Sequence, residues 1–180
     1  MNLKEKKLKS KTVYSGKIVT LEVDEVELPD GKTSFRECIR HSGGASVLMI
    51  KDEKVLLVNQ YRYLYGKPIY EIPAGKLNSG EDPMVAASRE LEEETGFKAK
   101  LSHWLDIYPT PGYTDEIIHI YFAESYEVTK QNLDEGEFLN YCFVDIETVQ
   151  KMIENGEIKD AKTIIAVYKY LLTKKMGATN

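Results

Sequence analysis

The sequence predicts an α+β fold in which a small N-terminal β arm precedes a mixed sheet packed with helices. Three observations lead there. Apolar residues alternate along short, turn-bounded segments through much of the chain. One sharply bounded helical stretch falls between strands, and two amphipathic stretches close the sequence without a regular βαβ repeat. With 180 residues, 42% of them hydrophobic, the chain can bury one substantial core and carry an appended arm, but it is too short for a multidomain assembly.

Ile18 to Leu28 alternate in part, with a phase change at Asp24–Glu25 that predicts a strand with a bulge. Pro29-Asp30-Gly31 is a turn signal, and Thr33 to Arg40 can pair back, so the first forty residues read as a β-hairpin arm. Ser42-Gly43-Gly44 is a flexible junction, which divides the chain into an arm over 1–40 and a main domain over 41–180. Beyond it, Ala45–Ile50 and Val55–Tyr63 read as strands around an Asp52–Glu53 turn, and Ile69–Ile72 as a third. A helix over Pro83–Thr95 follows, then strands near Ala99–Tyr108, Ile117–Ala123 and Phe138–Val144. Helices over Ile146–Glu154 and Ala161–Lys174 finish the chain, the second with Ile164, Val167, Tyr168 and Leu171 on one face.

A net charge of −5 offers no broad positive field for nucleic acid, and the Lys-rich first eleven residues read as a solvated terminus. No run is apolar enough to span a membrane, and the N-terminus lacks the apolar core of a signal peptide, so a cytoplasmic location is expected. Cys38 and Cys142 are read as buried reduced thiols. His41, His103 and His119 have no metal-ligand spacing, and Trp104 and Tyr108 read as strand core.

The informative stretch is Gly75 to Phe97, GKLNSGEDPMVAASRELEEETGF. Asp82 can cap a helix that starts at Pro83, Gly96 can take the left-handed turn that ends it, and Met84, Ala87 and Leu91 form its apolar stripe. Glu90, Glu92, Glu93 and Glu94 crowd its C-terminal end, where each carboxylate meets the negative end of the helix dipole at a cost of about 0.3–1 kcal/mol. Glu90, Glu93 and Glu94 lie three or four apart, so their oxygens can share a hard cation. Taken alone, they fit a solvated acidic helix as well, and Arg89 fits an ordinary surface partner of Glu93.

The whole pattern resembles the Nudix box: Gly75, five residues, Glu81, seven residues, then Arg89-Glu90-Leu91, Glu93-Glu94 and Gly96-Phe97. The resemblance implies a Nudix-type α/β/α sandwich with a mixed sheet and a metal-dependent pyrophosphohydrolase. It makes Glu90 and Glu94 the principal metal ligands, with Glu93 a further or water-mediated one and the Ala74 carbonyl another; Mg²⁺ is the expected ion and Mn²⁺ a possible substitute. Arg89 and Glu81 are implied to hold the loop to the helix, and Gly75 to allow a tight backbone turn at the substrate.

The flanking NQYRY (59–63), YEIPAG (70–75) and PTPGYTDE (109–116) resemble the ADP-ribose pyrophosphatase subgroup. That likeness implies that Arg62, whose fork suits phosphate oxygens, approaches the diphosphate, and that Arg36 and Glu37 contact adenine; taken alone, Arg62 also fits a strand-end surface charge, and Arg36 and Glu37 a solvated hairpin. Tyr61, Tyr63 and Tyr65 read as sheet packing rather than a base platform. The subgroup places its general base on a loop outside the box, which here is NLDEGEF (132–138), with Glu137 favoured over Glu135. It also implies a homodimer whose N-terminal hairpins exchange between subunits. ADP-ribose is the expected substrate; a pyrophosphatase for another nucleotide sugar, such as GDP-mannose, and a non-catalytic ADP-ribose-sensing module are the alternatives.

Overall fold

A computed structural model describes residues 2–177; Met1 and residues 178–180, at the ends of the expected arm and domain, lie outside the described residues. The chain divides into two compact units, Met1–Gly43 with Tyr108–Ile117, and Gly44–Ile107 with Ile118–Asn180.

In the first unit, β1 (Lys6–Ser15), β2 (Thr20–Glu27) and β3 (Thr33–Arg40) form an antiparallel sheet in chain order. The expected β2–β3 hairpin turns at Gly31, whose φ of +82° no other residue type adopts readily. The Lys-rich segment read as a solvated terminus is instead a strand, exposed along its whole length. A lysine-studded edge strand suits this position, because its charges oppose pairing with further strands. The bulge is also displaced: β2 and β3 pair without interruption, while β1 skips Leu8 and Val13. The partner strand absorbs the phase change. Residues 109–116, remote in sequence, join this unit where Ile39 N–H donates to the Tyr113 carbonyl at 2.7 Å and Asp115 accepts from the His41 amide and Arg40. Tyr108, expected in strand core, is 68% exposed, because the strand ends one residue before it.

The second unit holds two four-stranded sheets. One has the order β8 (Ala74–Lys76), β4 (Gly44–Leu48), β10 (Ile118–Val128), β9 (Phe97–Ile107), with β4 and β10 parallel. The other sets β6 (Lys54–Arg62) between β11 (Leu139–Asp145) and β5 (Ile50–Lys51), with β7 (Lys67–Glu71) also on β6. The Asp52–Glu53 turn joins β5 to β6 with both residues at positive φ, as a two-residue hairpin loop needs.

Alternation along the central strands creates two cores. Ala45, Val47, Met49 and Leu56 face α1 (Pro83–Thr95) through Ala86, Ala87 and Leu91. Leu48, Val55, Leu57 and Ile120 pack with α2 (Ile146–Glu154) and α3 (Ala161–Gly177) through Val149, Ala166 and Val167. Strands buried on both sides between helices make the expected α/β/α sandwich. No helix among the described residues is long and apolar enough to cross a membrane.

Candidate active site

The helix that carries the acidic cluster has well-defined ends. Asp82 accepts hydrogen bonds from the Met84 and Val85 amides at 2.9 and 3.2 Å, and Gly96, at φ +70°, returns its N–H to the Glu92 carbonyl. Met84 is not part of the buried stripe: at the first turn it is half exposed, and the packed face comprises Ala86, Ala87, Leu91, Glu94 and Thr95. A carboxylate thus sits in an otherwise small and apolar stripe. Glu94 is 2% exposed and accepts from the Ala74 amide at 3.0 Å. Burial pushes its carboxyl up to about 8; the Ala74 amide opposes this, and the charges of Glu90 and Glu137 add to it.

Glu90 is raised too, first by burial, although Arg89 opposes the shift. Its carboxylate lies against the backbone of Gly75, where an added Cβ would stand 1.9 Å from the carboxyl carbon. This corrects the reason for the glycine. Gly75 is an ordinary strand residue paired with Ala45 and not a positive-φ turn; it is needed for the close approach of Glu90.

Arg89 organises the remaining acids. Its Nε and Nη2 bind Glu81 at 3.0 and 3.1 Å, its Nη1 binds Glu90 at 2.8 Å and Glu93 at 2.9 Å, and Nη2 also reaches the Lys76 carbonyl. All five guanidinium N–H groups are engaged. Glu81 also accepts from the Asn78 amide at 2.9 Å, so the loop before α1 is tied to the middle of the helix.

Among the described residues no three His, Cys, Asp or Glu side chains form a ready metal cage: Glu90 and Glu93 turn to Arg89, and Glu94 to the Ala74 amide. The donor set nonetheless fits a hard divalent cation. It consists of oxygens, carries more negative charge than Arg89 neutralises, and includes one carboxylate whose ionisation burial opposes.

The loop after β10 brings a further acid to this region. The Glu137 carboxylate accepts from Gln60 Nε2 at 3.2 Å and is near enough to raise both Glu90 and Glu94. Glu135, two residues earlier beside the Gly136 turn, is exposed. The loop is anchored on the carbonyls that end α1: Asn132 N–H donates to Glu93 O, Gln131 Nε2 to Glu94 O, and Thr129 N–H to Gly96 O. No sequence signal marks this attachment, which joins two loop amides and the Gln131 side chain to helix-end carbonyls more than thirty residues away.

Arg62 ends β6 with its Nε and Nη2 bound to the two oxygens of Glu71 at 2.6 and 2.9 Å, so part of the fork expected for phosphate is committed to a carboxylate. Burial raises the Glu71 carboxyl, but Arg62 and Lys162 outweigh it and hold it below its ordinary value. Lys162 also bonds Asp160, whose carboxylate accepts from the Thr163 amide and hydroxyl. The signal for this cluster is a lysine on the packed face of α3, beside Thr163, Ala166 and Val167. Tyr61, Tyr63 and Tyr65, expected to pack on the sheet, are exposed at 57%, 87% and 72%: Tyr61 lies on β6 with its side chain uncovered, and Tyr63 and Tyr65 fall beyond the strand end at Arg62, in a single 3-10 turn.

Other sequence-marked residues lie apart from these acids or outside their unit. Arg36 binds Glu5 through Nε and Nη2 at 3.0 and 2.5 Å in the first unit, where Glu37 is exposed. His103 and His119 share one oxygen of Asp106, at 2.9 and 2.8 Å. Cys38 and Cys142 are free and half-buried.

A NUDIX domain is matched over residues 40–167, and a nucleoside diphosphate sugar hydrolase N-terminal domain over residues 5–39. The chain is 44% identical to an ADP-ribose pyrophosphatase of Bacillus subtilis (strain 168), over 97% of this chain and 96% of that one. It is 47% identical to a methanol dehydrogenase activator of Bacillus methanolicus, over 91% of this chain and 90% of the other. A crystal structure of an ADP compounds hydrolase superposes with a TM-score of 0.84 at 21% identity, covering 100% of this chain and 98% of that one, which supports the fold.

Proposed function

We take as premise that this chain belongs to the NUDIX family and is a Nudix hydrolase, and we propose that it cleaves the diphosphate of ADP-ribose to AMP and ribose 5-phosphate with Mg²⁺. One observation carries the reading: the half-buried Glu90 and the buried Glu94 carboxylates lie against the Ala74–Gly75 backbone, within a chain similar over 97% of its length to an ADP-ribose pyrophosphatase. Glu90, Glu94 and the Ala74 carbonyl would hold the ion, with Glu93 a further or water-mediated ligand. Mg²⁺, or Mn²⁺ in its place, offsets phosphate charge and makes a bound water more acidic.

The protein's own groups do the rest. Arg62 keeps three N–H groups beyond the two given to Glu71, and these face the diphosphate as charge-assisted donors. Glu137, held by Gln60, accepts the proton of the attacking water as its oxygen bonds to phosphorus and the bridging oxygen–phosphorus bond breaks. Arg36 and Glu37 contact adenine from the arm, and the arm is exchanged in a homodimer. Its exposed Val13, Tyr14 and Phe35 support that assignment. The free thiols fit a cytoplasmic location.

A phosphatase-coupled release assay with Mg²⁺ tests the substrate across ADP-ribose, GDP-mannose, dinucleoside polyphosphates and nucleoside triphosphates. ADP-ribose should give the highest kcat/KM; a clear preference for GDP-mannose would replace it, and no turnover of any substrate would leave a sensing module. Deleting residues 1–40 tests the arm: sedimentation should report a monomer and KM should rise, whereas a fully active monomer would exclude the assignment.

A further inference from the structure

The charged cluster at the start of α3 supplies none of the groups proposed to hold the ion, although the Lys162 charge reaches Glu94, and it is among the most deeply buried polar groups of its unit. Glu71 is 3% exposed and Lys162 7%. Glu71 receives Arg62 on both oxygens and Lys162 on one of them. Lys162 is in turn held by Asp160 at 3.0 Å, and Asp160 caps the first turn of α3 through the Thr163 amide and hydroxyl. The Thr163 hydroxyl donates no further than Asp160 and accepts from the Ile72 amide at 2.8 Å, which ties the same helix turn to the strand segment leading to Ala74 and Gly75.

Charge balance accounts for the burial: two cations and two carboxylates neutralise one another inside the fold. It does not account for the asymmetry. Glu71, Lys162 and Asp160 are buried or nearly so, while the Arg62 side chain remains 40% exposed, with three N–H groups uncommitted. A self-contained structural quartet would enclose all four members. This one stops at a guanidinium gripped along one edge and open along the other.

We propose that Lys162 and Glu71 are positioning residues for Arg62: α3 fixes Lys162 through Asp160, Lys162 fixes the Glu71 carboxylate, and Glu71 sets the plane in which Arg62 meets the substrate diphosphate. The inference rests on the reading of Arg62 as a diphosphate contact. Its physical basis is that a forked donor aids catalysis only when aligned, and misplacement by about 1 Å can cost a factor of about 100. A lysine on the packed face of a C-terminal helix thereby becomes part of substrate recognition without touching substrate.

The test compares Arg62→Ala, Lys162→Met and the double variant. ADP-ribose affinity is measured by calorimetry in EDTA, kcat and KM with Mg²⁺, and a thermal melt shows that each variant is folded. Lys162→Met keeps the length and apolar stem of lysine. It should weaken ADP-ribose binding about 10-fold, Arg62→Ala should weaken it at least as much, and the double variant should match Arg62→Ala alone, because Lys162 acts through Arg62. Lys162→Arg should recover much of the loss. If Lys162→Met has no cooperative melt, Asp160→Asn replaces it, since it retains a capping side chain and frees Lys162 from its anchor; the same non-additivity with Arg62→Ala is expected. Independent, multiplying effects, or unchanged affinity in the folded Lys162 variant, overturn the proposal while leaving the Arg62 assignment in place. Unchanged affinity in Arg62→Ala overturns both.

Discussion

Two charged regions of the second unit make opposite use of the same residue types. Around α1, Glu81 in the loop before the helix and Glu90, Glu93 and Glu94 on its later turns set four carboxylates against a single arginine, a formal charge of −3, and that arginine is bonded through every N–H to the first three and to the Lys76 carbonyl. At the start of α3, Glu71 and Asp160 are matched by Arg62 and Lys162, and Arg62 keeps donors to spare. On the proposed reading, the imbalance suits the first region to receive cations with its arginine as a brace, and the balance of the second leaves its arginine with donors for an anion. A metal-bound diphosphate needs both kinds of surface.

The deepest way to break that contrast is to remove the charge of Glu94. Glu94→Gln should lower kcat about 10³-fold while the protein stays folded, since ligand loss removes several kcal/mol of transition-state stabilisation. The same change should stabilise the protein in EDTA. Because the folded Glu94 carboxyl sits at about 8 against an ordinary 4.5, the folded state retains its proton where the unfolded state has lost it. That group's contribution is therefore fully present below pH 4.5 and is lost as pH rises toward 8. Urea titrations in EDTA should show wild type falling below Glu94→Gln at pH 8 and converging with it at pH 4; equal stability at pH 8 would show that the acidic cluster is not strained.

The base assignment sharpens the comparison, because Glu137 adds charge to the already acidic region. Glu137→Gln should reduce kcat about 10²-fold with little change in KM, whereas Glu135→Gln should remain within about threefold of wild type. If the two results are exchanged, the base is Glu135; if neither variant slows, it lies elsewhere.

A smaller effect is expected from backbone crowding. Gly75→Ala places a methyl group where the Glu90 carboxylate now lies, which should cost about 1–3 kcal/mol of stability and raise the Mg²⁺ concentration needed for half-maximal rate. Wild-type Mg²⁺ dependence in this variant would separate Glu90 from the metal. Least affected should be Arg89→Lys, which keeps the charge but loses the fork: a loss of about 1–2 kcal/mol in chemical denaturation is expected, with little change in ADP-ribose affinity. A large affinity loss there would move Arg89 from brace to substrate contact.

Much of this was legible in the order of residues. The bounds of α1 and α2, the hairpin turn at Gly31 and the acidic cluster from Glu90 to Glu94 all depend on neighbours a few positions apart, and helix caps, turns and i to i+4 spacings are local. Where the structure departs from these expectations, strand pairing or a turn just beyond the strand decides. The Lys-rich terminus became β1 because β2 offered it an edge, and the tyrosines after Arg62 lost their sheet when the strand turned at Gly66.

The order of residues supplies the chemistry available: a helix capped by Asp82 and Gly96 with more carboxylates than it can stabilise, and few arginines to set against them. Which groups meet is set by the packing. It put Glu90 over Gly75, tied the Glu137 loop to the end of α1, and gave Arg62 a carboxylate partner held from α3. Burial and pairing depend on which side chains meet across dozens of residues, and those meetings are set by the packing of both cores rather than by any local spacing.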